Sequence, residues 1–268
     1  MSSNQNIVAM LFGRGGSVGL PGKNIRRILN RPALHYPLMA ARASGVVREI
    51  YVSTDSDEIF DLARPFGVRE IRRPPDLASN SALLEDAIVH AFRTVEQETR
   101  KSVDFYLILL CNAVTVMPQA ICAAINILTT DVDADSVTTG AKLNMFSPVR
   151  ARKLDRATGM LANYIPLDAL SRFTNVSCDR DKSEDCYFCD NSFTLVRARA
   201  LATLHENAIP FRWMGNRIRL LEQLPGAGDI DFAWQVPVVE WWLAQHGFTA
   251  ETVPYSTPAA GVLRATGN

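Results

Sequence analysis

Four short apolar runs, at 7–12, 49–53, 68–71 and 105–110, are separated by three stretches with helix-compatible spacing, at 32–44, 56–66 and 82–99. This alternation constrains the fold more than anything else in the chain. Strand–helix–strand units place consecutive strands parallel, with helices covering both faces of the sheet. The 82–99 stretch is the clearest helix, because Leu84, Ala87, Ile88, Ala91, Phe92 and Val95 fall on one face. The pattern continues with a helix at 118–128, strands at 136–139 and 187–196, and an amphipathic helix at 231–245 carrying Trp234, Val238, Trp241 and Trp242. Between 142 and 185 the periodicity weakens while charge, Pro and Gly rise, which predicts an inserted hairpin or extended arm. After Gly247 the chain turns Pro-, Thr- and Ala-rich and is expected to be loose.

In a parallel α/β sheet, ligands bind at the carboxyl ends of the strands. The first strand runs into GRGGSVGLPGKN, from Gly13 to Asn24, with five glycines, Arg14 and Lys23. Glycine lets backbone N–H groups approach a ligand closely, and successive N–H groups form an anion-binding concavity. Arg14 and Lys23 add full positive charge. The loop therefore predicts a cradle for the phosphates of a nucleoside triphosphate, against the plainer alternative of a basic surface turn. It is not a Walker loop, since Asn24 rather than Ser or Thr follows Gly22-Lys23. It is not the dinucleotide fingerprint either, because the third glycine is missing and Pro21 prevents an immediate regular helix.

Composition narrows the class. The 268 residues carry a formal net charge of zero, which argues against a general nucleic-acid binder. No apolar run approaches the ~20 residues of a membrane span, and the polar start of the chain has no secretory pattern. A cytoplasmic protein without membrane or nucleic-acid partners is expected. The cysteines at 111, 122, 178, 186 and 189 have no disulfide-framework spacing, and Cys186-Tyr-Phe-Cys189 lacks a second ligand pair for zinc. They read as reduced, partly buried thiols. His35, His90, His205 and His246 show no metal spacing and read as structural.

The loop resembles the R-G-G-S-K-G-L-P-G-K-N loop of the cytidylyltransferases that activate acidic sugars, the acylneuraminate (CMP-sialic acid) and CMP-KDO synthetases. Arg14, Gly15, Gly16, Ser17, Gly19, Leu20, Pro21, Gly22, Lys23 and Asn24 match, and Val18 stands where the family carries lysine. Tyr51-Val-Ser-Thr-Asp-Ser56 resembles the family's V-S-T-D turn, Arg73-Pro-Pro-Asp-Leu-Ala78 its R-P-x-x-L-A segment, and Asp229-Ile-Asp231 its late D-I-D motif. One segment departs: where the family reads L-L-Q-P-T-S-P-L-R, this chain has Leu109-Leu110-Cys111-Asn112-Ala113-Val114-Thr115-Val116-Met117. That segment faces the sugar acceptor in the family, so the departure implies a divergent branch with its own acidic sugar.

The resemblance implies a single Rossmann-like nucleotide-diphospho-sugar transferase domain over 1–268, with a mostly parallel sheet and a small dimerisation and acceptor arm around 142–185. It implies transfer of CMP from CTP to a nonulosonate or KDO-type sugar for cell-surface glycans, with Mg²⁺ as cofactor and a homodimer as the assembly. Arg14, Lys23 and Asp231 are the expected catalytic residues. Gly15, Gly16, Ser17, Asn24, Arg73 and Asp86 are expected around the nucleotide, with pairing to Asp76 as the structural alternative for Arg73. Asp229 and Asp231 are the expected metal ligands, against an N-cap role for Asp231 before the Trp234 helix. Asn112, Arg150, Lys153, Asp190 and Asn191 are the expected acceptor contacts, with Lys142 and Arg152 as further cations that could hold the sugar acid. No general base is evident, leaving the metal or an aspartate near the cleft to activate the acceptor. A nucleotidyltransferase for another sugar or triphosphate, and a weakly active nucleotide-binding paralogue, are the competing readings.

Overall fold

A computed structural model describes residues 5–16, 19–79, 81–99 and 101–255. Seven strands form one sheet, in the order Ile218–Glu222, Ser136–Lys142, Tyr187–Arg197, Phe105–Leu110, Ile7–Phe12, Glu49–Thr54 and Arg69–Arg72. Its first half follows the alternation of the sequence: β1 (Ile7–Phe12), α1 (His35–Ala43), β4 (Glu49–Thr54), α2 (Asp57–Ala63), β5 (Arg69–Arg72), α3 (Leu84–Glu98) and β6 (Phe105–Leu110). A two-residue ladder, β2 (Arg27–Ile28) with β3 (Arg31–Pro32), interrupts the path from the Gly loop to α1. β1 pairs in parallel with both β4 and β6. The chain thus moves outward from β1 to β5, then returns to the other side of β1, and this reversal opens a crevice at the ends of β1 and β6.

The second half comprises α4 (Pro118–Thr130), β7 (Ser136–Lys142), a small hairpin of β8 (Arg152–Leu154) and β9 (Leu161–Asn163), β10 (Tyr187–Arg197), α5 (Ala198–Ala202), β11 (Ile218–Glu222) and α6 (Gln235–Gln245). β10 runs antiparallel between β6 and β7, while β11 pairs in parallel with β7 at the sheet edge. The sheet is therefore mostly parallel. Helices cover both faces: α1, α2 and α4 pack on one side, and α3 and α5 on the other. β1 is buried at every position, as an apolar central strand with two covered faces must be.

Three expectations change. The helix predicted at 231–245 begins only at Gln235, and its Trp234, Val238 and Trp241 are exposed, whereas Val239, Trp242 and Leu243 are buried. This buried side packs against Leu20, Ile28, Tyr36 and Ile230, a third apolar cluster beside the main sheet. β11, an exposed edge strand, has no counterpart among the predicted elements. Cys178 and Cys189 are exposed rather than partly buried, and Cys111 is fully buried.

Candidate active site

The crevice at the β1 and β6 ends is a cleft of about 350 Å³. Its lining brings together Arg14, Lys23, Asn24, Arg73, Asn112, Asp229 and Asp231 from the loops after β1, β5, β6 and β11, and Asn191 from β10 itself. An apolar side, including Leu77, Leu110, Phe193 and Trp213, continues from these polar groups.

The Gly loop is held by its neighbours. Asn24 donates from Nδ2 to the Arg14 carbonyl at 2.8 Å, closing the loop across ten residues. Asp55, at the end of β4, accepts from the Gly15 N–H at 2.9 Å. Arg14 donates to the Ser79 carbonyl at 2.7 Å. Gly13 is required by packing: a Cβ there would lie 2.5 Å from the Cys111 Sγ, closer than any real contact. Gly19 is constrained in the same way, 2.9 Å from the Asp231 carbonyl, which lets the loop lie against the strand that carries the acids. Among the described residues, a Cβ on Gly16 would meet nothing within 4 Å. Ser17 and Val18 lie outside the described residues.

Arg73 follows β5 and is only 7% exposed. Its Nε donates to the Ser53 Oγ at 3.0 Å and its Nη2 to the Ser53 carbonyl at 2.9 Å, so its partner is Ser53 and not Asp76. Burial pushes the guanidinium pKa down, yet it stays a cation beside the cleft. Burial also pushes the neighbouring Cys111 thiol up to about 12, so Cys111 is a neutral packing group at neutral pH.

The two late aspartates owe their direction to the residue between them. Ile230 is completely buried in the third cluster, and in extended chain its neighbours point the opposite way. Both carboxylates therefore face the cleft. The segment is tied to the end of β6 by an isolated bridge between Ala113 and Asp229 and by the Ile230 N–H donating to the Asn112 carbonyl at 3.1 Å. The Asn112 Nδ2 donates to the Ile230 carbonyl at 3.0 Å and lies 3.4 Å from Asp229 Oδ2 and 3.5 Å from Asp231 Oδ1. Lys23 forms an ion pair with Asp231. Burial, reinforced by the Asp231 charge, pushes Asp229 up to about 6, against the opposing pull of Lys23 and the Asn191 amide. Asp231 is not an N-cap; instead the Gln235 Oε1 accepts from the N–H groups of Asp231 and Phe232, both at 2.7 Å.

Several expected contacts stand elsewhere. Asp190 turns from the cleft into a network with the Thr139 hydroxyl (2.6 Å), the Ser192 N–H (2.8 Å) and the Gln223 amide (3.0 Å). Asn191 takes its place at the cleft, in the left-handed region at φ +58°, where the β10 pairing with β7 shifts register. Asp86 is exposed in the first turn of α3, outside the cleft lining. Arg150 and Lys153 belong to the arm. Arg150 donates to the Cys178 carbonyl at 2.6 Å, and Lys153 is exposed on β8. Lys142 pairs with Asp185. Asn112, expected at the acceptor, lines the cleft beside the two acids. Ser53 and Asp55 belong to the Tyr51–Ser56 turn matched in the sequence, at a strand end expected to face the cleft; their partners, Arg73 and the Gly15 N–H, come from contacts across strands that the local motif does not announce.

Residues 8–158 match the model of a family described as cytidylyltransferase. Over 79 residues the chain is 38% identical to a 3-deoxy-manno-octulosonate cytidylyltransferase of Acidobacterium capsulatum, covering 30% of this chain and 32% of that protein. Over 85 residues it is 34% identical to N-acylneuraminate cytidylyltransferase A of Danio rerio, covering 32% and 20%. A pseudaminic acid cytidylyltransferase of Campylobacter jejuni shares 36% over 80 residues, covering 28% and 34%. The matched region thus spans about a third or less of these relatives. Among solved structures, a CMP:2-keto-3-deoxy-manno-octonic acid synthetase complexed with CTP superposes with a TM-score of 0.63 at 17% identity, over 90% of this chain and all of that one. A 4-diphosphocytidyl-2C-methyl-D-erythritol synthase from Anaerococcus prevotii gives 0.59 at 11% identity, again over 90% and 100%. At these identities the structural likeness establishes the fold.

Proposed function

The chain belongs to the cytidylyltransferase family, and from that premise we propose that it transfers CMP from CTP to an acidic sugar of the nonulosonate or KDO type, releasing pyrophosphate. The observation that carries this reading is the meeting, in one cleft, of the Gly-loop cations Arg14 and Lys23 with the Asp229–Asp231 pair. Positioning and charge neutralisation supply most of the catalysis in phosphoryl-type transfers, and both are built in here. The loop N–H groups around Gly15 and Gly16, held in shape by Asp55 and Asn24, receive the phosphates. Arg14 and Lys23 balance their charge. Arg73, buried and without a carboxylate among its hydrogen-bond partners, faces the nucleobase side. The acceptor hydroxyl oxygen attacks the α-phosphorus and pyrophosphate leaves.

The donor set fits Mg²⁺. Asp229 and Asp231 offer hard carboxylate oxygens on one side of the cleft, one or two of which suffice when phosphate oxygens and water complete the shell. The Lys23 ammonium already stands against this pair as a positive charge. When bound, Mg²⁺ neutralises phosphate charge in the transition state. Asn112 keeps the two carboxylates together, and Asn191 lines the same wall. The 142–185 arm, with Leu161, Tyr164 and Leu167 exposed, serves as the contact to a second copy, and Arg150 and Lys153 serve the sugar acid from there. Among the described residues, no helix is long and apolar enough to cross a membrane. A cytoplasmic location belongs to the same proposal.

Pyrophosphate release tests the reading. Each nucleoside triphosphate is paired with a panel of acidic and neutral sugars in the presence of Mg²⁺. Release is expected with CTP and an acidic sugar. Release with another triphosphate, or only with a neutral sugar or a sugar phosphate, overturns it.

A further inference from the structure

The acid pair and the phosphate cradle share one cation. Lys23 belongs to the Gly loop by sequence, yet its ammonium is bound to Asp231, 208 residues away. Arg14, the other loop cation, is engaged on the far side with the Ser79 carbonyl. Among the described residues, Lys23 is thus the cationic side chain paired with these acids. Its carrier is well fixed: the Lys23 N–H donates to the Leu20 carbonyl at 3.2 Å, and Leu20 is buried in the same cluster as Ile230. Backbone and acids are both anchored, so only the flexible lysine stem is free to change partner.

We propose that Lys23 occupies the divalent-cation position of the free protein, and that the phosphates of the incoming nucleotide draw it off Asp231 and so open that position. The inference rests on the reading of this cleft as a nucleotide and cation site. Two consequences follow from charge alone. In the free protein a divalent cation must displace a tethered ammonium, so it binds weakly until nucleotide arrives. In the absence of any divalent cation, Asp231 competes with phosphate for Lys23, so it holds back nucleotide binding. Triphosphate and divalent cation therefore bind with positive coupling, and the coupling is reciprocal. A lysine that only touched phosphate would leave cation binding to the free protein untouched.

The test uses Mn²⁺ as the cation and needs no turnover. Mn²⁺ affinity is measured by electron paramagnetic resonance on the full chain without nucleotide, for wild type, Lys23→Met and Lys23→Arg. Lys23→Met is expected to bind Mn²⁺ at least tenfold more tightly than wild type, and Lys23→Arg to stay near wild type. Unchanged or weaker Mn²⁺ binding by a folded Lys23→Met overturns the proposal. A second arm covers the case in which Lys23→Met does not fold. Metal-free CTP binding, by calorimetry in chelator, is compared for wild type, Asp231→Asn and Asp229→Asn. Asp231→Asn is expected to tighten it severalfold, and by more than Asp229→Asn, because only the former releases Lys23. Equal effects of the two variants, or none, overturn the proposal. If CTP fails to bind while another triphosphate binds, the cytidylyl reading fails, and the Mn²⁺ arm still decides the role of Lys23.

Discussion

The crevice at the ends of β1 and β6 and the 142–185 arm are built on opposite terms. β1 is buried throughout and β6 at all but its last residue, so the loops that leave them start from fixed points. The arm strands β8 and β9 are three residues each and mostly exposed, and the nearby apolar side chains Met160, Leu161, Tyr164 and Leu167 meet solvent. One region positions charged groups by hanging them on a closed core. The other presents apolar surface that its own chain does not cover. The contrast teaches where precision resides: groups at the strand ends are set by this chain alone, whereas groups on the arm acquire a fixed place only against something else.

The largest effect expected from breaking the strand-end side is on turnover. Asp231→Asn removes a carboxylate from the cleft and is expected to lower kcat by about 10²–10³-fold, the scale of losing one preorganised electrostatic group. Steady-state pyrophosphate release checks this, and near-normal turnover would remove Asp231 from the chemistry. Gly13→Ala should destabilise the fold by about 1–3 kcal/mol through overpacking against Cys111. Cys111→Ala in the same chain should recover part of that loss in urea melts; strict additivity of the two changes would show that they do not touch.

A smaller effect belongs to Asp229. Its folded pKa of about 6 lies above its unfolded value, so the fold binds more protons there than the unfolded chain does. This group therefore costs nothing at pH 3, and its stability contribution is lost as pH rises from about 4 through about 6. Asp229→Asn should stabilise the protein at pH 7.5 by roughly 3 kcal/mol and flatten that pH dependence, which thermal melts across pH can read. The arm gives the smallest effects. The exposed Lys142–Asp185 pair should be dispensable for melting temperature, as exposed ion pairs usually are. Arg150→Ala and Lys153→Ala should also melt as wild type, while raising KM for the acidic sugar severalfold and leaving KM for CTP alone. Equal shifts in both KM values would take the arm away from the acceptor.

Most of the first half was legible because its signals are local. The 7–12 and 105–110 runs are strands to the residue, and the 82–99 face of Ala87, Ile88, Ala91 and Val95 is the buried face of α3. The Gly loop was legible because phosphate-binding geometry is written in consecutive residues. Other features depend on tertiary contacts. Ile218-Arg-Leu-Leu-Glu222 breaks the two-residue alternation, because an exposed edge strand has no second face to specify. Trp234, just before α6, shares with Val238 and Trp241 a helical stripe as good as the buried one, and only the position of the third cluster decides between them. Asp190 and Asn191 are adjacent polar residues, and the register shift in β10 selects which one reaches the cleft. The meeting of Lys23 with Asp231 joins residues 208 apart and follows from β1 and β6 being neighbours in the sheet.

That register shift also makes the length of β10 a matter of arithmetic. Strand side chains alternate in twos, so the irregular stretch between Cys189 and Thr194 works as a frame marker, separating the arm's numbering from the cleft's. Between the Cys189–Gly140 and Thr194–Thr138 pairs β10 advances five residues while β7 advances two, so removing one residue there would not restore the pairing but would turn every side chain on one side of the stretch to the opposite face. The stretch after Cys189 is therefore read in whole pairs: an odd insertion or deletion there changes which β10 side chains face the cleft.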